Sequence, residues 1–265
     1  MYLEFFGLKE FPFEITSDPD YFYQSQKHKR AVACLIYGIK YRKGIITITG
    51  DVGTGKTTLC KYLLSKLSKE IKTSFILNPY FSDVQLLNLI AQDFGLKPKR
   101  KSRLDIVKEL TDFLLEVNSL GGNAVLIIDE AQNLKPRQLE QIRLLSNLET
   151  NKHKLLQIIL VGQNELEDIL KSENLRQISQ RIAVKFNITP LEFEEIKPYI
   201  LHRLKTAGAQ REIFKPECYE LIYEFSKGVP RKINILCDRA LLAGFVENEK
   251  IINKEIILKC IEELK

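Results

Sequence analysis

Two hydrophobic patterns take turns along the first two thirds of the chain. Short runs rich in apolar and β-branched residues occur at 44–49, 73–78, 124–128, 155–162 and 183–188. The third of these, Ala124-Val125-Leu126-Ile127-Ile128, has no polar position at all, as in a strand that is covered on both faces of a parallel sheet. Between the runs, apolar residues recur every three to four positions at 59–67, 84–94, 104–117 and 139–148, the spacing of amphipathic helices. Ser102 and Asp105 stand where a capping pair would open the helix over 104–117. Strands alternating with helices predict an α/β fold with a parallel sheet sandwiched by helices. After Pro190-Leu191 the pattern changes to helices only, over 194–207, 216–225, 232–245 and 254–264. The chain is therefore expected to hold two domains. Residues 1–190 would form the sheet domain, with an aromatic N-terminal segment, and residues 191–265 a small all-helical domain.

The junction of the first strand and first helix carries the chemistry. Gly50-Asp51-Val52-Gly53-Thr54-Gly55-Lys56-Thr57-Thr58 fits the phosphate-loop pattern G-x-x-x-x-G-K-[ST]. Glycines let backbone N–H groups turn inward around phosphate oxygens. The helix that follows adds the positive end of its dipole. Lys56 would reach the β- and γ-phosphates as a point charge, the Thr57 hydroxyl would bind Mg²⁺, and Thr58 would face the α/β-phosphate side. A nucleoside triphosphate such as ATP, with Mg²⁺, is the expected ligand.

Polar residues at the other strand ends extend the set, because ligands of open α/β sheets bind at the carboxyl ends of strands. Asp129 would hold Mg²⁺ through water, and Glu130 would orient and polarise the attacking water. Gln163 is placed to reach the γ-phosphate and the water, with Asn164 as the alternative. Asn78, at the end of the second strand, could hydrogen-bond Glu130 and hold it away from water until the enzyme is engaged. Phosphoryl transfer also needs cationic charge on its transition state. Arg181, just before the last strand, suits a finger offered to a neighbouring subunit, with Arg176 as the alternative. Arg231, in Gly228-Val229-Pro230-Arg231, opens a helix of the small domain and could fold onto the γ-phosphate.

Together these residues resemble the AAA+ ATPases. Walker A falls at 50–57, Walker B at 125–130, sensor 1 at Gln163, the arginine finger at Arg181 and sensor 2 at Arg231. The resemblance implies a P-loop NTPase fold with a five-stranded parallel sheet, a helical lid, and a ring or filament of identical subunits. Nucleotide would lie between the two domains and against a neighbour.

A closer resemblance, to the ExeA/GspA secretion ATPases, covers nearly the whole chain. It rests on Tyr2-Leu3-Glu4-Phe5-Phe6-Gly7-Leu8-Lys9-Glu10-Phe11-Pro12-Phe13, Asp129-Glu130-Ala131-Gln132-Asn133-Leu134, the stretch 142–150, Val161-Gly162-Gln163 and the stretch 228–238. Asn164 stands where that family usually has proline. The resemblance implies a cytoplasmic ATPase that couples turnover to assembly of a type II secretion or pilus machine. The chain is expected to be a short form, without the transmembrane and periplasmic parts of the long members. A role at the inner membrane would then go through a partner component. Two other readings use the same core: a transposition regulator that binds DNA when ATP-loaded and recruits a transposase, and a nucleotide-dependent scaffold. Intact Glu130, Arg181 and Arg231 argue against the scaffold.

Composition changes this picture little. The 265 residues are 45% hydrophobic and 28% charged, ordinary for a globular protein. A net charge of +6 is compatible with a polyanionic partner and requires none. The basic run 97–103 reads as a solvated connection or a polyanion contact. The five cysteines, 34, 60, 218, 237 and 260, lack paired spacing and read as small core residues. The N-terminal aromatics either flank the adenine or pack on the sheet edge, and His28 reads as structural.

Overall fold

The computed structural model describes residues 2–98 and 102–265. Of the basic run 97–103, Lys99, Arg100 and Lys101 lie outside the described residues. The five runs form the strands β1 (Ile45–Gly50), β2 (Ile71–Ile76), β3 (Asn123–Ile128), β4 (Leu156–Val161) and β5 (Ile182–Ile188). They pair in the order β2-β3-β4-β1-β5, every pair parallel. Burial follows position in the sheet. All residues of the inner strands β1 and β4 are buried, whereas the edge strand β5 alternates until Ile188. This is why β5 reads as alternating and β3 as wholly apolar.

The helices are α1 (Tyr2–Phe6), α2 (Gln26–Lys40), α3 (Lys56–Lys66), α4 (Asp83–Asp93), α5 (Arg103–Ser119), α6 (Pro136–Leu145), α7 (Glu165–Lys171), α8 (Arg176–Ser179), α9 (Phe193–Thr206), α10 (Cys218–Ser226), α11 (Pro230–Val246) and α12 (Lys254–Glu263). The chain packs as two compact units. One holds residues 28–52 and 62–188; the other holds the segment up to Lys27, residues 53–61, and Thr189 onward.

In the sheet unit, Ile45, Ala124, Leu126, Ile128, Leu156, Ile158 and Leu160 project from one face into a core shared with α4 to α8. The intervening residues point the other way. Ile46 meets α2 there, so closely that a Cβ on Gly38 would lie 2.3 Å from its Cδ1. Helices thus flank both faces. Ser102 caps α5, its hydroxyl accepting the Asp105 N–H at 3.2 Å.

The helical unit has its own core of α9 to α12, and the N-terminal segment belongs to it. Tyr2, Phe6, Leu8, Phe13 and Tyr21 are buried among Ile196, Ile200, Ile222, Leu236 and Ile257. The Phe13 ring stands edge-on to Phe214 with centroids 6.1 Å apart. Arg203 of α9 donates to the Pro12 carbonyl at 2.6 Å and to the Glu14 carbonyl at 3.0 Å. This placement differs from the expected grouping of the segment with the sheet domain. Aromatic side chains and otherwise unpaired carbonyls find their partners on the helices.

Candidate nucleotide-binding and catalytic site

The phosphate loop leaves the carboxyl end of β1 at Gly50 and runs into α3 at Lys56. Gly53 and Gly55 have φ of 81° and 91°, which side-chain-bearing residues rarely adopt. Thr54 and Lys56 are buried, while Thr57 and Thr58 are half-buried. Lys56 is thus a buried cation at the positive end of a helix dipole. A helix N-terminus that carries such a lysine favours a polyanionic ligand. The glycine backbone, the buried lysine and the hydroxyl of Thr57 form a donor set that fits a magnesium-bound triphosphate.

Within the helical unit, Arg231 touches this loop. Its N–H donates to the Gly53 carbonyl at 3.3 Å, and a Cβ on Gly53 would fall 2.8 Å from the Arg231 Cβ. A tight turn aims it. Lys227 ends α10 with φ of 51° and Gly228 follows with φ of 75°; Pro230 then starts α11 at the first helical position, where its missing N–H costs nothing. The Arg231 side chain is exposed.

The acidic pair ends β3, and its neighbour β4 ends at Gln163. Asp129 is buried, and its backbone N–H bonds the Ile76 carbonyl of β2. Its Oδ1 also accepts the Glu130 N–H at 2.9 Å. Glu130 has φ of 51° and ψ of 37°, a left-handed conformation that a non-glycine residue holds only where its surroundings impose it. Gln132 Nε2 donates to Glu130 Oε2 at 2.5 Å, and Gln163 Nε2 approaches the same oxygen at 3.4 Å. Glu130 and Gln163 are therefore brought together. Asn78 is not joined to them here: it is exposed, and its Oδ1 accepts the Tyr80 N–H at 3.2 Å. The Glu130 carboxylate is held by the two glutamines instead, one on its own turn and one just past β4, while the Asn78 side chain is taken up by its own turn.

Asn164 faces elsewhere. Its Nδ2 donates to Asp51 at 2.6 Å and its Oδ1 accepts from Asn187 at 2.9 Å. Asn187 also donates to the Thr49 hydroxyl, which in turn donates to Glu167 at 2.5 Å. This polar chain ties the ends of β1, β4 and β5 to Asp51. Arg181 is exposed just before the edge strand β5, whose first residue pairs with Ile45 at the start of β1. It lowers the pKa of Glu149, although Lys154 is the larger cause. Arg176 is also exposed, at the start of α8. Sequence reasoning assigned no role to Gln132, Asn187 or Glu167. Only Gln132 carried a signal, standing two residues after Glu130.

Comparison with known proteins agrees with this architecture. A family model described as an AAA domain matches residues 39–170. General secretion pathway protein A of Aeromonas hydrophila is 42% identical over 264 residues, 99% of this chain and 48% of that protein. The chain thus spans about half the length of the curated relative it matches. Among solved structures, Cdc6p of Pyrobaculum aerophilum is 20% identical, with a TM-score of 0.72 over 93% of this chain and 70% of that one. The Aeropyrum pernix ORC2 protein, solved as ADPNP-ADP complexes, is 19% identical, with a TM-score of 0.69 over 91% of this chain and 67% of that one. The Thermotoga maritima RuvB branch-migration motor is 22% identical, with a TM-score of 0.60 over 91% of this chain and 70% of that one. At such identities these likenesses speak for the fold alone. With its five-stranded parallel sheet, its phosphate loop and this relative along nearly its whole length, the chain belongs to the AAA family of P-loop ATPases and is of the General secretion pathway protein A type.

Proposed function

We propose that the chain binds ATP with Mg²⁺ and hydrolyses it to drive assembly or remodelling of its own oligomer, in the service of a secretion or pilus-assembly machine. The observation that carries the hydrolytic part is Glu130, strained at a strand end with its carboxylate held by Gln132 and Gln163. When bound, magnesium ATP supplies the transferable phosphoryl group and a counter-charge for it. The residues 50–55 offer backbone N–H groups to phosphate oxygens, and Lys56 neutralises their charge. Thr57, and Asp129 through water, would hold the metal. Glu130 takes a proton from the attacking water, and Gln163 orients that water. Arg231 senses the γ-phosphate from the helical unit, and Arg181 serves a neighbouring subunit as its finger.

The secretion setting is supported by the likeness to General secretion pathway protein A, whose name states its pathway. Among the described residues no helix is long and apolar enough to cross a membrane, so in this reading these residues meet the inner membrane through a partner component. Light scattering with ATP and Mg²⁺, with and without duplex DNA and with phosphate release followed in parallel, tests the proposal. ATP-driven assembly and turnover indifferent to DNA is the expected result. Assembly only in the presence of DNA would replace this reading with that of a transposition regulator.

A further inference from the structure

We infer that Gln132 is a positioning residue of the hydrolytic site, one that fixes the Glu130 carboxylate and joins it to the turn carrying Gln163. The inference rests on the ATPase reading above and concerns how that site is held.

Three observations meet on this one side chain. Its Nε2 donates to Glu130 Oε2 at 2.5 Å, and its Oε1 accepts the backbone N–H of Gln163 at 3.1 Å. A single amide thus spans the ends of β3 and β4. The orientation of that amide is determined by its partners. Exchanging its oxygen and nitrogen would set carbonyl against carboxylate and NH₂ against N–H, both repulsive. The second observation is Gly162. A Cβ there would lie 2.8 Å from Gln132 Oε1 and 3.0 Å from Leu166 Cδ2. The residue before Gln163 thus lacks a side chain where the amide lies against the backbone. The third is local. Glu130 in the left-handed region begins a 3₁₀ turn over Ala131–Asn133, closed by the Asn133 N–H on the Glu130 carbonyl at 2.9 Å. This turn folds Gln132 back over the carboxylate that precedes it.

The consequence is a division of labour between two oxygens. Both glutamine donors converge on Glu130 Oε2, and Oε1 takes no hydrogen bond from the described residues. Gln132 fixes the carboxylate's rotation and leaves Oε1 for the attacking water. Because the same amide holds the backbone of Gln163, the base and the residue beside it move as one piece. A shift of the β4 turn is passed directly to the carboxylate, with no need for Asn78.

The test uses the full chain with Gln132→Met, Gln132→Glu, Gly162→Ala and Glu130→Gln, measuring kcat, ATP affinity and thermal midpoint for each. Gln132→Met keeps the shape and removes both hydrogen bonds. It is expected to lower kcat about ten- to hundredfold with ATP affinity unchanged, part of the factor a positioned base supplies. Gln132→Glu, which sets a second carboxylate on Glu130, lowers kcat further. Gly162→Ala pushes the amide off its seat and repeats the loss. In the Glu130→Gln background, Gln132→Met has no further effect on turnover. Wild-type kcat in both Gln132 variants, with Glu130→Gln inactive, would overturn the role of Gln132 and leave the ATPase reading standing. Equal losses of kcat and ATP affinity, with a lowered thermal midpoint, would also overturn it, since a merely structural side chain behaves that way. A wild-type protein that binds ATP and releases no phosphate even when assembled would overturn the ATPase reading and this inference with it.

Discussion

Gly53 is asked for two things at once. Its φ of 81° excludes ordinary residues, and the space its side chain would fill already holds the Arg231 Cβ. Gly53→Ala would cost about 1–2 kcal/mol in backbone strain and would displace Arg231. The expected outcome is ATP binding weakened about tenfold, the equivalent of about 1.4 kcal/mol, in a titration with a fluorescent nucleotide. Unchanged affinity would mean that the loop tolerates the altered geometry and that its contact with Arg231 is incidental. At this scale, what could be read in advance was whatever is contiguous in sequence. The loop 50–58 and the pair Asp129-Glu130 announce themselves because each is a short contiguous pattern at a strand end. Gln132 did not, because its partner N–H on Gln163 lies on another strand and its seat depends on Gly162. Asn78 was a reasonable partner for Glu130 by strand position, but its own turn takes its side chain for the Tyr80 N–H.

Among the elements, the strands were the most legible, since wholly apolar runs such as 124–128 have few alternatives. Helix α2 was missed. Its buried positions Ala31, Val32, Leu35 and Ile39 have helical spacing. However, the lysines and arginine around them and Gly38 in its last turns weaken the signal. That glycine is needed for close packing on Ile46, a reason invisible before the sheet is built. The N-terminal aromatics were visible as a cluster, but nothing local says that their core is α9 to α12.

The turn between α10 and α11 yields a prediction at this scale. A Cβ on Gly228 would lie 2.0 Å from the Leu191 carbonyl oxygen, at φ of 75°. The Gly228 carbonyl also accepts the Leu191 N–H at 2.9 Å. Gly228→Ala is expected to destabilise the protein by about 2–4 kcal/mol through strain and overpacking, read by urea denaturation. A change under about 0.5 kcal/mol, the range of ordinary surface substitutions, would contradict the account of how Arg231 is aimed.

For the whole molecule, the five cysteines are all unbridged, and only Cys34 is not buried. Burial pushes the Cys218 and Cys260 thiols up to about 11, and that of Cys237 up as well. The folded state therefore favours the neutral thiols. Their contribution is fully present below the pKa of the unfolded thiols, near 9.0, and is lost as pH rises towards about 11. The urea midpoint should fall across that window. A thiol-reactive dye at neutral pH should label Cys34 quickly and the other four only on unfolding. Rapid labelling of all five in the native protein would contradict the helical core described here.

The central claim is that a phosphate loop and a held carboxylate make this chain an ATP hydrolase. Glu130→Gln tests it most directly, with ATP binding and phosphate release measured side by side against the wild type. The account predicts that the variant binds ATP as tightly as the wild type, loses turnover by a factor of about 10² or more, and accumulates an ATP-bound oligomer. Undiminished phosphate release in the variant, or loss of ATP binding with it, would contradict the assignment of Glu130 as the residue that activates water.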